Sequence, residues 1–189
     1  MNYQFGWYLF LKPLTFFSVL FFCALTLAGI TASSTYVLML GIIFPVAVSM
    51  KLHLLSLNNR VMLRETASEC LVYLPGIPVQ ETQYAIRNVA FETTQALRNF
   101  YQRALIYKAL LHILIICILC IDIKNAEAGG LWVPAAAITA CVLLNGLRST
   151  LTALYRVLRL RFEVQTQDTV WHEAFFNTKP GLSVLFSLK

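Results

Sequence analysis

Charge is scarce in this sequence, and acidic residues are scarcer than basic ones. Charged residues make up 13% of the chain, with 9 Asp and Glu against 15 Lys and Arg. Hydrophobic residues make up 58%, and the mean hydropathy is +0.67, so both exceed the usual values for a water-soluble globular domain. The sequence therefore predicts an integral membrane protein.

The sequence also lacks the motifs of common catalytic sites. It has no glycine-rich phosphate loop, no HExxH metal motif and no serine nucleophile elbow, and its acidic residues are scattered singly. We expect a protein that is not an enzyme and that uses no cofactor and no metal. A catalytic site assembled from residues far apart in sequence is the alternative.

One cysteine pair has a suggestive spacing. Cys117 and Cys120 match the CxxC pattern of redox and metal sites, and His112 precedes the first thiol by five residues. Both cysteines lie within an apolar run, where a thiol behaves as a small hydrophobe. The chain has 5 cysteines, an odd number, and no disulfide framework is expected. We interpret the pair as packing residues.

Four apolar runs are long enough, alone or with their neighbours, to enter a bilayer. We predict two transmembrane hairpins, residues 14–50 and 105–147, after an aromatic interfacial N-terminus at residues 1–13. A signal-peptide core is the alternative for the first run, Leu14–Thr31. In the second run Pro45 predicts a kink, and before the third Lys108 is expected to extend its ammonium toward the headgroups.

Residues 51–104 connect the two transmembrane hairpins and turn at residues 75–78, where the sequence is Pro-Gly-Ile-Pro. The rest of this segment contains no Gly or Pro, and its apolar residues recur at spacings of three and four. Both features favour a helical hairpin, with Leu97 and Phe100 in the buried seam of its second arm. The predicted fold is an all-α integral membrane protein, with four transmembrane helices in two hairpins joined by a cytoplasmic helical hairpin.

The positions of the basic residues predict the topology. Of the 15 Lys and Arg, only Lys124 lies in a connector between two paired spans. Because basic residues accumulate on the cytoplasmic side of membrane proteins, both termini and the central hairpin are predicted to be cytoplasmic. We predict the bacterial inner membrane as the location.

The C-terminal segment, residues 148–189, is predicted to begin as a basic amphipathic helix that continues from the last span. One face would carry a stripe of large apolar residues, namely Leu147, Leu151, Leu154, Leu158 and Phe162. The opposite face would carry Arg148, Arg156 and Arg159. The stripe either lies on anionic lipid or packs on the central hairpin.

Two polar residues inside the predicted spans are candidate intramembrane sites, His112 and Asn145. An ionisable residue within a membrane is a functional candidate by default. The alternative for His112 is a neutral, hydrogen-bonded packing role near the membrane interface, one turn from Lys108.

The predicted function is that of a structural or scaffolding subunit of a membrane-embedded assembly, such as a secretion or conjugative-transfer system. Leu97, Phe100, Arg156 and Arg159 are the candidate interaction residues. The expected partners are the bilayer with its anionic lipids, other membrane or cytoplasmic proteins, or a second copy of the chain, and no nucleic acid.

Two alternatives to a scaffold remain open from the sequence. A small transporter or channel subunit would need polar groups within the membrane, which only His112 and Asn145 offer. A membrane-shaping protein would also fit, because paired apolar hairpins with cytoplasmic ends are the layout of reticulons. That comparison is one of layout, without any residue-level match.

Overall fold

Long helices and a β-sheet together form the fold. The computed structural model describes residues 20, 24–26, 29–74, 77–125, 132–159, 162–167, 170–176 and 179–186. For residues 64–87, 166, 167 and 179 this description covers the backbone. Helices account for most of the regular structure, with a sheet at one end of them.

Three helices in the described part of the chain are long and apolar enough to cross a membrane. The first runs from Thr31 to Leu57 and consists of α1 (Thr31–Tyr36), a π-helical segment (Val37–Ile43) and α2 (Phe44–Leu57). The other two are α3 (Thr94–Asn125) and α4 (Trp132–Leu158). The prediction of long apolar helices is thereby confirmed.

The first predicted span is the exception. Most of the run Leu14–Thr31, together with the interfacial residues 1–13, lies outside the described residues. The predicted number of four spans therefore stays a prediction.

Pro45 is accommodated by a change in helical repeat. It lies in the first turn of α2, directly after the π-helical segment. In a regular α-helix the proline ring would clash with the carbonyl four residues earlier, which here belongs to Gly41. The π-helical hydrogen bonds reach five residues back, as the Phe44 N–H does to the Met39 carbonyl, and so relieve this conflict.

The prediction of a helical hairpin at residues 51–104 is wrong, because most of this segment forms a β-hairpin. α2 ends at Leu57, and β1 (Val61–Leu74) then pairs antiparallel with β2 (Ile77–Phe91). The register runs from Val61 opposite Phe91 to Leu74 opposite Ile77, so the chain reverses where the turn was predicted. The fold is consequently not all-α.

Residue preferences explain this difference. The segment is rich in β-branched and aromatic residues, which favour strands: Val61, Val72, Tyr73, Ile77, Val79, Tyr84, Ile86 and Val89. A lack of Gly and Pro suits a long strand as well as a helix. A spacing of four is also ambiguous, because an even spacing keeps residues on one face of a regular strand as well as of a helix.

The C-terminal strands extend the sheet beside the hairpin. β3 (Glu163–Gln167) pairs antiparallel with β4 (Trp171–Phe176), and β5 (Lys179–Pro180) also pairs with β4. The strand order is β1-β2-β4-β3, with β5 off this path. Among the described residues, β2 meets β4 at Ala90 and Phe91 alone. The sheet is therefore broad at the base of the hairpin and two strands wide beyond it.

Only part of the predicted leucine stripe of the C-terminal segment packs on the core, through Leu154 and Phe162. α4 runs unbroken to Leu158, and its last part buries Gly146, Thr150, Ala153 and Val157. Leu151 and Leu158 are exposed instead. Small residues let helix backbones approach closely, which favours this face for packing. The predicted amphipathic helix thus ends at Leu158, before the strands and the short helix α5 (Gly181–Phe186).

The buried core has two parts, at opposite ends of the long helices. In the part at the sheet, β-strands and α5 pack on the ends of α2, α3 and α4. Aromatic rings make successive contacts there at centroid distances of 5.2 to 5.7 Å, in the order Phe91, Phe100, Tyr101, Phe176 and Phe162. In the other part, α1, the late turns of α3 and the early turns of α4 pack together through residues such as Tyr36, Ile115 and Leu143.

Asp122 links two helices at the end far from the sheet. The Thr31 hydroxyl donates to Asp122 Oδ1 at 2.8 Å, and the Ala32 N–H donates to Oδ2 at 2.9 Å. The carboxylate therefore acts as an N-terminal cap for α1, although it belongs to the last turns of α3. A cap of this kind stabilises a helix by about 0.5–2 kcal/mol.

Candidate functional site

An apolar groove of about 380 Å³ lies between α2 and α3. One wall consists of Ile43, Phe44, Ala47, Val48 and Lys51, and the other of Phe100, Ala104, Tyr107, Leu110, Leu111 and Leu114. Phe44, Val48, Phe100 and Ala104 are buried and form the floor. The rim is exposed, with 61% of Tyr107 and 56% of Leu110 accessible. The groove is therefore open along its side.

The one charged residue that lines the groove lies at the end of the α2 wall nearer the sheet. This residue is Lys51, and Tyr107 lines the α3 wall; both are exposed. Arg103 lies one turn before Tyr107 on α3 and is also exposed. At about 100° per residue, Arg103 falls within roughly 20° of Leu110 on the helix surface and so shares the face of the rim. Two cations consequently flank this end of the groove.

His112 is buried between helices, with 1% of its surface accessible. Its Nδ1 lies 2.8 Å from the Lys108 carbonyl oxygen, which only accepts, so Nδ1–H is the donor. Its ring meets Tyr36 edge-on at 6.0 Å between centroids. A Cβ at Gly146 would come within 2.7 Å of His112 Nε2, so the glycine creates the space that the imidazole fills.

Asn145 does not join this cluster. It is exposed, whereas the next residue of α4, Gly146, is buried against His112. Adjacent residues of a helix point about 100° apart, so Asn145 faces away from the imidazole. The two predicted intramembrane polar residues are thus not brought together.

The four candidate interaction residues divide into two groups. Leu97 and Phe100 are buried, with 0% and 6% of their surfaces accessible, and contact the core of this chain at the sheet. Arg156 is half-buried near the end of α4, and Arg159 is exposed, with its guanidinium 5.5 Å from the centroid of the Tyr155 ring. The arginines are therefore on the surface of the described structure, and the apolar pair is inside it.

Two buried polar arrangements were not identified from the sequence. Lys108 does not extend to the surface: its Nζ donates to the Leu185 carbonyl of α5 at 2.8 Å, and 5% of the residue is accessible. In the sheet, Asn88 Nδ2 donates to Glu173 Oε2 at 3.1 Å, with both residues buried. The partners lie 77 and 85 residues apart in the chain, so no local pattern reveals them.

The cysteines form no cluster in the described part of the chain. Cys117, Cys120 and Cys141 are free and exposed on the outer faces of α3 and α4. No group of three His, Cys, Asp or Glu side chains that would suit a metal occurs among the described residues.

Comparison with known proteins adds no relative: no family model, curated protein or solved structure significantly matches the chain.

Proposed function

We propose that the protein is a non-enzymatic, multi-pass membrane subunit that holds a partner protein through the β1–β2 hairpin, within a membrane-embedded assembly such as a secretion or transfer system. The observation that carries this proposal is the length of that hairpin beyond the sheet. Its base is anchored in the core, where Val61, Val89 and Phe91 are buried. Its outer part forms an arm, which we define as residues 65–86.

The arm is far longer than the core requires. Residues 65–74 alone extend roughly 30 Å at about 3.4 Å per residue. Among the described strands, those of the arm pair only with each other. An isolated two-stranded ribbon is marginally stable in water, and a third strand or another packing surface stabilises it. A partner protein that supplies such a surface explains why the arm is retained at this length.

The sequence of the arm supports contact at its tip. The register sets Val72 opposite Val79 and Leu74 opposite Ile77, so apolar residues are concentrated next to the turn. Further back, Ser68 lies opposite Gln83, a polar pair. Apolar residues at the far end of an arm favour a protein contact there, because their burial is the main gain in association.

The charge distribution supports a cytoplasmic position for the arm. The helix ends near the sheet carry Lys51, Arg98, Arg103, Arg148 and Arg156, whereas Lys124 is the only basic residue at the other end of α3. Basic residues next to membrane spans are retained in the cytoplasm. The proposed subunit therefore spans the membrane with its sheet, its arm and both termini inside.

The test is site-specific photocross-linking in native membranes. A photoreactive residue is placed at Val72 or Val79 at the tip, and at Ser68 or Gln83 as matched controls within the same ribbon. We expect one discrete protein adduct from the tip positions and a weaker one from the controls. Adducts with lipid alone, or equal yields at all four positions, would contradict a partner held at the tip.

A variant with a shortened arm tests partner binding without disturbing the fold. Replacing residues 69–82 by Asn-Gly leaves the pair Ser68 and Gln83 next to a tight turn and does not alter the base of the hairpin. The variant is expected to accumulate in the membrane at the normal level and to lose the partner after mild solubilisation. Unchanged recovery of the partner would overturn the proposal.

A further inference from the structure

We propose that the groove between α2 and α3 binds one anionic phospholipid, with its acyl chains along the apolar walls and its phosphate at Lys51 and Arg103. This inference uses the membrane position of the helices and is independent of the partner at the arm. It rests on three properties of the groove: its shape, its position relative to the membrane surface, and its charge.

The shape suits an acyl chain. The groove has a buried floor and exposed apolar rims, so it opens sideways to whatever surrounds the helices. From Ile43 to Lys51 it is roughly 12 Å long at about 1.5 Å per residue. Small side chains line it on both sides, with Ala47 on α2 and Ala104 on α3. They leave the width that larger residues would fill.

The position of Lys51 at the edge of the apolar stretch suits a lipid headgroup. Lys51 is the first charged residue after the apolar stretch that begins at Thr31, so it marks the boundary of the hydrocarbon region on this helix. Tyr107 lines the opposite wall of the groove. Tyrosine rings are enriched at this level of membrane proteins, where the ring is apolar and the hydroxyl meets water.

The charge selects an anionic headgroup. Lys51 lines the groove, Arg103 is exposed on the adjoining face of α3, and no acidic residue lines the described groove. Lys108, the nearest other cation on α3, is turned inward to the Leu185 carbonyl. Ammonium and guanidinium groups bind phosphate oxygens by charge-assisted hydrogen bonds, and the Tyr107 hydroxyl is a further donor. In the described spanning helices of this chain the one acidic residue is Asp122, at the end far from Lys51, so an anionic lipid is a better match than a second copy.

The experiment compares two lipids that share the same acyl chains and differ in the headgroup, one zwitterionic and one anionic. The full chain is placed in bilayer nanodiscs of dioleoyl phosphatidylcholine with dioleoyl phosphatidylglycerol, and the lipids that remain bound are counted by native mass spectrometry after gentle release. We expect one retained phosphatidylglycerol per chain. Lys51→Gln with Arg103→Gln should reduce the preference over phosphatidylcholine by roughly fivefold per cation. Ala47→Trp should reduce the number of retained lipids by filling the groove.

Two controls test the specificity of the site. Lys124→Gln removes a cation at the other end of the helices, and Arg156→Gln removes one at the same end but outside the groove. Neither should change lipid retention. Leu110→Trp, at the exposed rim, gives a second obstructing variant should Ala47→Trp fail to fold.

Three outcomes would overturn the proposal. An equal loss of preference in Arg156→Gln would show general surface attraction instead of a site. Unchanged retention in a folded Trp variant would show that the lipid lies elsewhere. A change of oligomeric state in the Trp variant with lipid retention unaltered would assign the groove to a second copy of the chain. None of these readouts depends on the arm, so they are separate from the test of the proposed function.

Discussion

At the scale of single residues, the contact between His112 and Gly146 makes a sharp prediction. Gly146→Ala would bring a methyl group to 2.7 Å from His112 Nε2, and the imidazole is held by its bond to the Lys108 carbonyl. Overpacking of this kind costs about 1–3 kcal/mol, which exceeds the gain of up to about 1 kcal/mol from replacing Gly by Ala in a helix. We expect a lower thermal unfolding temperature in detergent.

Gly41→Ala is the matched control for this substitution. The nearest atom to a Cβ at Gly41 is Val37 Cγ1 at 3.9 Å, an ordinary contact, so the unfolding temperature should stay equal or rise. A double-mutant cycle assigns the cause, because Gly146→Ala should cost little once His112→Ala has removed the ring. Equal effects of the two glycine substitutions would contradict the proposed close contact.

For the cysteine pair we expect a negligible effect of substitution on stability. Cys117 and Cys120 are free and exposed, so Cys117→Ser with Cys120→Ser should change stability by less than about 0.5 kcal/mol, as most surface substitutions do. Metal content by mass spectrometry and the yield of membrane-inserted protein are the measurements. Loss of a bound metal, or of function at normal protein levels, would show that the pair has a functional role.

At the scale of elements, Leu97 and Phe100 tie the start of α3 to the sheet. Phe100 contacts Phe91 of β2 at 5.2 Å and Tyr101 at 5.5 Å between ring centroids. Replacing both residues with Asp would bury two carboxylates without partners, at a cost of several kcal/mol. We expect the base of the β1–β2 hairpin to become protease-sensitive in inside-out vesicles, and co-purifying protein to be lost with it.

Asn99→Ser is the appropriate control, because Asn99 lies between the two residues in sequence and is exposed. Arg98 is unsuitable as a neutral site, since its Nη2 donates to the Leu158 carbonyl at 3.1 Å. If the Asp pair and Asn99→Ser gave the same protease pattern, the sheet would not depend on this contact.

The helices, the sheet and the groove differ in how far they could be predicted from the sequence. The helices were predictable because a membrane span requires about 20 mainly apolar residues in a row, which is a local property. The turn near Pro75 and Gly76 was also predictable from a local property, the Pro and Gly residues themselves. The β1–β2 hairpin was missed because spacings of four suit a strand as well as a helix. The pairing of Ala90 with Glu173 was missed because no window around either residue contains the other. The groove also depends on how α2 and α3 pack together, so the sequence could not show that Lys51 and Arg103 lie near the same groove.

At the scale of the whole molecule, the orientation in the membrane can be tested directly. Single cysteines are introduced at Gly76 and Ala126 in a cysteine-free background, and an impermeant thiol reagent is added outside intact cells. The excess of basic residues at the sheet end predicts labelling at Ala126 and protection at Gly76. The reverse pattern would invert the topology and would also remove a cytoplasmic partner for the arm.

The Asp122 cap has a consequence for the order in which the chain is made. Thr31 precedes Asp122 by 91 residues, so a ribosome working at about 5–20 residues per second synthesises the first helix several seconds before its cap. During that interval the Thr31 hydroxyl and the Ala32 N–H lack the carboxylate that they contact in the folded chain. The N-terminus of α1 acquires its cap only when α3 has been synthesised to its last turns, so this end of the bundle is completed late.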